Sequence, residues 1–113
     1  MGSKYHNRKT EVDGILFDSQ AEARRYAELK LMQRAGEIGH LERQVPFEII
    51  PKMKTKDGRT IRATKYVADF TYYTKGGQYV VEDVKGKKTA VYEIKKKLML
   101  EKHCIEVHEI GGK

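Results

Sequence analysis

Asp69, Asp83 and Lys85 are the residues of this 113-residue chain whose types and spacing bear most directly on chemistry. Asp83 and Lys85 belong to the segment VVEDVKG, Val80 to Gly86, which reads as the end of a β-strand. Alternate strand residues project to the same face, so the acid and the base are neighbours there. With a carboxylate from an adjacent strand, for which Asp69 is the candidate, an Asp-x-Lys pair equips a site for metal-assisted phosphodiester hydrolysis. Two carboxylates held side by side repel, and a divalent cation relieves the repulsion. Mg²⁺ or Mn²⁺ suits such hard oxygen donors, since no imidazole or thiolate shares the pattern. Lys85 would orient the nucleophile or stabilise developing charge. Taken alone, an Asp-x-Lys at a strand end is more often an exposed ion pair.

Whether Asp69 and Asp83 can meet is a question of strand register. A two-residue loop, Gly76-Gly77, pairs Lys75 with Gln78 and puts Asp69 on the face of Glu82, opposite Lys85. A three-residue loop, Lys75-Gly76-Gly77, pairs Thr74 with Gln78 and sets Asp69 across from Asp83. Gly77 suits the left-handed position that such a loop needs. The residues alone leave both registers open, and a bulge could also correct the first.

Several elements must position these groups. From Ser19 to Ala35 good helix formers dominate, with Ala23, Tyr26, Ala27, Leu29 and Met32 as apolar contact positions and Gly36 as a stop. Pro46 to Lys54 reads as a strand, Lys56-Asp57-Gly58 as a turn, Thr60 to Tyr73 as a long strand and Gln78 to Lys85 as the next. Thr89 is placed to cap a second helix with Val91, Ile94, Leu98 and Met99 on its apolar face, ending near His103. Cys104 to Ile110 alternates as a last short strand, with Cys104 in the core. The expected order is αβββαβ, an α+β fold with a mixed central sheet flanked by helices. Residues 1–14 read as a basic arm carrying Lys4, Arg8 and Lys9, and 15–113 as a single domain.

A net charge of +7 with 35% charged residues favours a polyanionic partner, nucleic acid first among them. Lys87, Lys88, Lys95, Lys96 and Lys97 crowd the segment after the Asp-x-Lys, either as a solvated helix face or as contacts to DNA phosphates. One cysteine excludes an intrachain disulfide and fits a reducing compartment, and the four histidines have no zinc-site spacing. No apolar run has the length of a membrane span or signal-peptide core, so the expected location is cytoplasmic.

The segments FDSQAEARRY (Phe17 to Tyr26), YVADF (Tyr66 to Phe70) and VVEDVKG together resemble the PD-(D/E)XK nuclease superfamily. The closer likeness is to small phage and prophage proteins grouped with Holliday-junction-resolvase-like and endonuclease-I-like enzymes. In that group a KY-N-KT opening, an EA-RY helix and an ADF…EDVKG core recur, and the likeness runs from Lys4 to about Ile110. Ala68 stands where the superfamily's name carries Pro. By position, Glu22 matches the helix acid, Asp69 the first motif acid, Asp83 the second and Lys85 the lysine.

This resemblance implies a restriction-endonuclease-like core, Mg²⁺ dependence and DNA cleavage, with Asp69, Asp83, Glu22 and the backbone carbonyl of Val84 as metal ligands. It implies branched or four-way DNA as substrate and no small-molecule cofactor. A homodimer follows from the task, since resolving a junction takes two symmetric cuts and a small domain carries one site. The residues leave Glu22 a second role, because Ser19-Gln20-Ala21-Glu22 is a capping box; with Asp18 as cap, Glu22 is freed. Two rival functions stand beside a phage-type endonuclease in a bacterial host: a non-catalytic nucleic-acid-binding accessory of recombination or replication, and a nicking or restriction-type enzyme. The chain has no inserted recognition domain to favour the last.

Overall fold

The computed structural model describes residues 9–85 and 88–111. Its elements are β1 (Thr10–Val12), β2 (Ile15–Phe17), α1 (Gln20–Arg34), β3 (Ile38–Ile50), β4 (Met53–Lys54), β5 (Thr60–Ile61), β6 (Thr64–Thr74), β7 (Tyr79–Lys85), α2 (Ala90–His103) and β8 (His108–Gly111). The central sheet has the order β3-β6-β7-β8, in which β3, β6 and β7 are antiparallel neighbours and β8 lies parallel to β7. Parallel neighbours require a crossover, and α2 supplies it. The architecture is therefore α+β, two helices on a mixed sheet. Neither helix is long and apolar enough to cross a membrane.

Caps define both helices. The Ser19 hydroxyl accepts the Glu22 amide at 3.1 Å, and the Thr89 hydroxyl accepts the Tyr92 amide at 3.1 Å. At the other end of α2, Cys104 is the cap, in the left-handed conformation at φ 57°, where its N–H reaches the Leu100 carbonyl. Cys104 is consequently exposed rather than in the core, and strand pairing begins only at His108. The inward face of α2 is set by Tyr92 and Met99; Val91 and Ile94, expected inside, are 62% and 56% exposed.

Three further features depart from the sequence expectation. Residues 10–14 belong to a hairpin that pairs Thr10 with Phe17, turned at Asp13-Gly14 with φ values of 54° and 78°. The domain thus begins within the span read as an arm, whose Lys4 and Arg8 lie outside the described residues. Strand β3 starts at Ile38, well before Pro46; as an edge strand it tolerates that proline. The long strand expected from Thr60 is divided, with β4 and β5 forming a separate ribbon around Lys56-Asp57-Gly58.

Helix α1 buries Ala23, Tyr26 and Leu29 with Phe17, Phe70 and Tyr72, joined by Val80 and Val84. On the opposite face α2 buries Tyr92 and Met99 with Ile49, Tyr66, Ala68 and Val81. Strand β7 alternates between these faces without interruption. Strand β6 does not: Tyr66 and Ala68 face α2, whereas Phe70 and Tyr72 face α1. A pleated strand cannot do this without losing alternation, and the break falls at Asp69. Its neighbour on β3 breaks at the same level. Arg43 lies over Phe17 on the α1 side, Phe47 packs on the α2 side, and Gln44 between them has φ 55°.

The α1 layer is anchored by a buried ion pair. The Arg25 guanidinium donates to both carboxylate oxygens of Glu82, at 2.9 and 2.6 Å, and the Tyr72 hydroxyl donates to the same carboxylate. Glu82 is only 2% exposed. We expect Arg25→Ala to cost about 3–5 kcal/mol of folding stability by leaving Glu82 buried and uncompensated. Urea denaturation measures this, and a paired Arg25→Met, Glu82→Leu change should recover most of the loss.

Candidate active site at the β6–β7 fork

The β6–β7 hairpin adopts the three-residue loop. Thr74 donates its amide to the Gln78 carbonyl at 2.8 Å, Gly77 has φ 89°, and the ladder runs from the Tyr73–Tyr79 pair to Phe70–Glu82. One step further this register sets Asp69 across from Asp83. There the two strands part. The Val84 amide, which a continuing ladder would set opposite Ala68, donates instead to Asp69 Oδ2 at 2.8 Å. Asp69 can reach it because the break in alternation turns its side chain along the sheet toward β7.

Asp69 and Asp83 are close enough for their carboxyl groups to share a hydrogen bond, and Asp83 is 2% exposed. Burial, then the Asp83 hydrogen bond and charge, push the Asp69 carboxyl up to about 8, against the opposing pull of the Val84 amide. Asp83 Oδ2 also accepts the Tyr66 hydroxyl at 2.6 Å. Burial and Asp83 together raise the Tyr66 hydroxyl, so it stays a proton donor. Glu82, the neighbouring acid, faces the other way, into the Arg25 pair.

Lys85 emerges on the face of Asp83, its Nζ 3.6 Å from Asp83 Oδ2 and 4.6 Å from the centroid of the Tyr92 ring. The aromatic face holds the ammonium by its quadrupole. Tyr92 is itself held by its hydroxyl, which donates to Glu109 Oε2 at 2.9 Å. Glu22 stands at the edge of the group. Its carboxylate accepts Gln44 Nε2 at 3.3 Å, and burial, with Asp18 and Asp83, raises its pKa, while Arg43 and Lys85 oppose the shift. Ser19 therefore caps α1, yet the Glu22 carboxylate is turned to Gln44 rather than to the cap.

The structure thus brings Glu22, Asp69, Asp83 and Lys85 into one electrostatically coupled group. Among the described residues no three His, Cys, Asp or Glu side chains gather as a ready ligand set. Mg²⁺ does not need one, because it keeps several waters and binds through one or two carboxylates. The hard-oxygen pair of Asp69 and Asp83 fits that requirement. Val84 contributes its amide to Asp69; the role as a metal ligand that the resemblance implies is for its carbonyl.

Tyr66, Tyr92 and Glu109 were not singled out by sequence reasoning. Tyr66 is three residues before Asp69, so strict alternation places it on the wrong face, and only the break in β6 brings it to Asp83. Gln44, which precedes the strand expected from Pro46, sits within β3 beside Glu22.

The candidate DNA-binding lysines divide. Lys95 lines an open cleft of about 290 Å³ together with Lys65, Tyr66, Asp83, Lys85 and Tyr92. Lys88 and Lys96 are instead committed to Glu109, at 2.8 and 2.7 Å, and Lys96 also to Glu93 at 3.6 Å. Lys97 borders a separate opening with Leu100 and Glu106. Lys9 pairs with Asp18 at 3.8 Å on the surface, and Lys87 lies outside the described residues.

The chain belongs to the family described as "Protein of unknown function (DUF1064)", whose model matches residues 2–110. No curated protein sequence and no solved structure matches it.

Lys88, Lys96 and the Tyr92 hydroxyl lower the Glu109 carboxyl to about 2 from its ordinary 4.5. A folded-state value below the unfolded one adds stability above the unfolded pKa, and that stability is lost as pH falls through the folded value. Acid titration followed by circular dichroism should therefore show Glu109→Gln less stable than wild type at neutral pH. The difference should close between pH of about 4.5 and about 2; a constant offset across that window would contradict it.

Proposed function

We propose that the chain is a divalent-cation-dependent DNA endonuclease of the PD-(D/E)XK type, acting on branched or structured DNA as a homodimer in the cytoplasm of a bacterial host. The observation that carries this reading is the half-buried Asp69 carboxyl beside the buried Asp83 carboxyl, with the Lys85 ammonium 3.6 Å from Asp83. A purely structural surface pair would be solvated, and burying two acids together is costly unless something compensates them. Mg²⁺ or Mn²⁺ held by Asp69 and Asp83, with Glu22 at its edge, would polarise the phosphodiester and lower the pKa of an attacking water.

The protein's own groups have separate tasks. Tyr66 fixes the Asp83 carboxylate by its hydroxyl hydrogen bond, and the Val84 amide fixes Asp69. Lys85, braced by Tyr92, brings a positive charge to the cleft where charge develops on the phosphoryl oxygens. Lys95 and Lys65 line the same cleft and suit flanking phosphates. The formal charge of +7 supports a polyanionic substrate.

Incubation with linear, nicked and four-way DNA, with and without Mg²⁺, tests the reading. We expect Mg²⁺-dependent cleavage that is strongest on four-way DNA. Asp69→Asn and Asp83→Asn should each abolish cleavage while leaving DNA binding intact or tighter, and Lys85→Ala should lose about a hundredfold or more. Mg²⁺-dependent activity retained in both Asn variants would refute the site, and binding without cleavage on every substrate would favour a non-catalytic accessory.

The salt dependence of DNA binding separates the lysines. Lys95→Ala should reduce the slope of log affinity against log salt by about one unit. Lys96→Ala should leave that slope unchanged and lower stability, because Lys96 is committed to Glu109.

A further inference from the structure

At the turn end of the β6–β7 hairpin, away from the acid pair, lies a second opening of about 530 Å³, a volume suited to a small planar ligand. It is lined by His40, Glu42, Thr71, Tyr73 and Tyr79. The β3 register slips between Gly39 and Glu42, and His40 takes φ 55° in that irregularity. Its ring meets Tyr73 edge-on, with centroids 6.0 Å apart and planes at 83°. Tyr73 pairs with Tyr79 across the ladder, their rings 4.9 Å apart.

These rings are not core. Tyr73 and Tyr79 are 44% and 39% exposed, and neither joins the clusters beneath α1 and α2. Polar groups complete the wall. The exposed Glu42 carboxylate accepts hydrogen bonds of the kind an exocyclic amino group of a base donates, and Thr71, only 1% exposed, lies at the floor. The carboxylate also repels phosphate, so the group suited to this opening is the flat, uncharged base and not the backbone.

We propose that this opening stacks an unpaired nucleobase of the DNA strand whose phosphodiester lies at the acid pair. The inference rests on the endonuclease reading and deepens it, since it names a local feature of the substrate. Along β6, Tyr73 lies four residues from Asp69, or about 13 Å at about 3.3 Å per strand residue. That distance corresponds to about four stacked nucleotide steps of about 3.4 Å. A flap, a fork or a branch point whose central pairs have opened supplies an unpaired base within such reach, whereas an intact duplex buries its base faces in its own stack.

Fluorescence anisotropy in EDTA, with a short labelled single strand and with the duplex of the same sequence, reads this opening without cleavage. We expect Tyr73→Ala and Tyr79→Ala each to weaken single-strand binding roughly tenfold, within the range found for base–aromatic stacking, with duplex binding unchanged. Tyr73→Phe keeps the ring and should bind as wild type. Unchanged single-strand affinity in both Ala variants would overturn the proposal, as would an equal loss on duplex. Sedimentation in parallel covers the remaining occupant: loss of self-association in Tyr73→Ala would make this face an interface between copies and would also overturn it. Failure of the catalytic reading would appear separately, as undiminished cleavage by the Asp69 and Asp83 variants.

Discussion

Two carboxyl groups, on Asp69 and Asp83, share the space where β6 and β7 separate, and the surrounding structure is organised by how that proximity is tolerated. Coulomb repulsion between buried like charges is severe in a low-dielectric setting. The chain offsets it with short-range donors, the Val84 amide on Asp69 and the Tyr66 hydroxyl on Asp83, and with the Lys85 ammonium. Burial first, then the Asp83 hydrogen bond and charge, still push the Asp69 carboxyl up to about 8. That repulsion is what supports the proposed divalent-cation site.

Each layer around the fork contributes one support. On one face, the Arg25–Glu82 pair locks α1 to β7 through the residue next to Asp83, and Glu22 sits three residues before Arg25 on the same helix. On the other, α2 carries Tyr92 under Lys85, and Glu109 of β8 holds Tyr92 while drawing Lys88 and Lys96 to itself. A buried charge pair on the first face and an ion cluster on the second thus fix the backbone on either side of the acids. The paired irregularities at Gln44 and Asp69 change which side chains reach the fork, bringing Tyr66 in on the α2 face.

The αβββαβ core was legible because its signals are local: Ser19 and Thr89 as caps, and glycines at the turns. The three-residue loop at Lys75-Gly76-Gly77 was one of two registers the residues allowed; Gly77 suited it, and pairing with β7 selects it. What alternation could not anticipate is its own failure. Tyr66 falls on the acid face only because β6 changes face at Asp69, an effect of pairing with β3 and of Gln44 in the left-handed region, where few non-glycine residues sit. Cys104 misled for a related reason, since an apolar-looking alternation hid a left-handed helix cap. The lysine run could not be sorted by spacing, because Lys95 and Lys96 differ only in which one meets Glu109, a partner from β8.

Asp69 and Asp83 are proposed to hold one hard divalent cation. Electron paramagnetic resonance of Mn²⁺ titrated into the protein in the absence of DNA reads that site without relying on cleavage. One bound ion per chain, displaced by Mg²⁺ and lost in both Asp69→Asn and Asp83→Asn, is the predicted result. Binding undiminished in those two variants, or no bound Mn²⁺ at any concentration at which the folded protein remains soluble, would contradict the account.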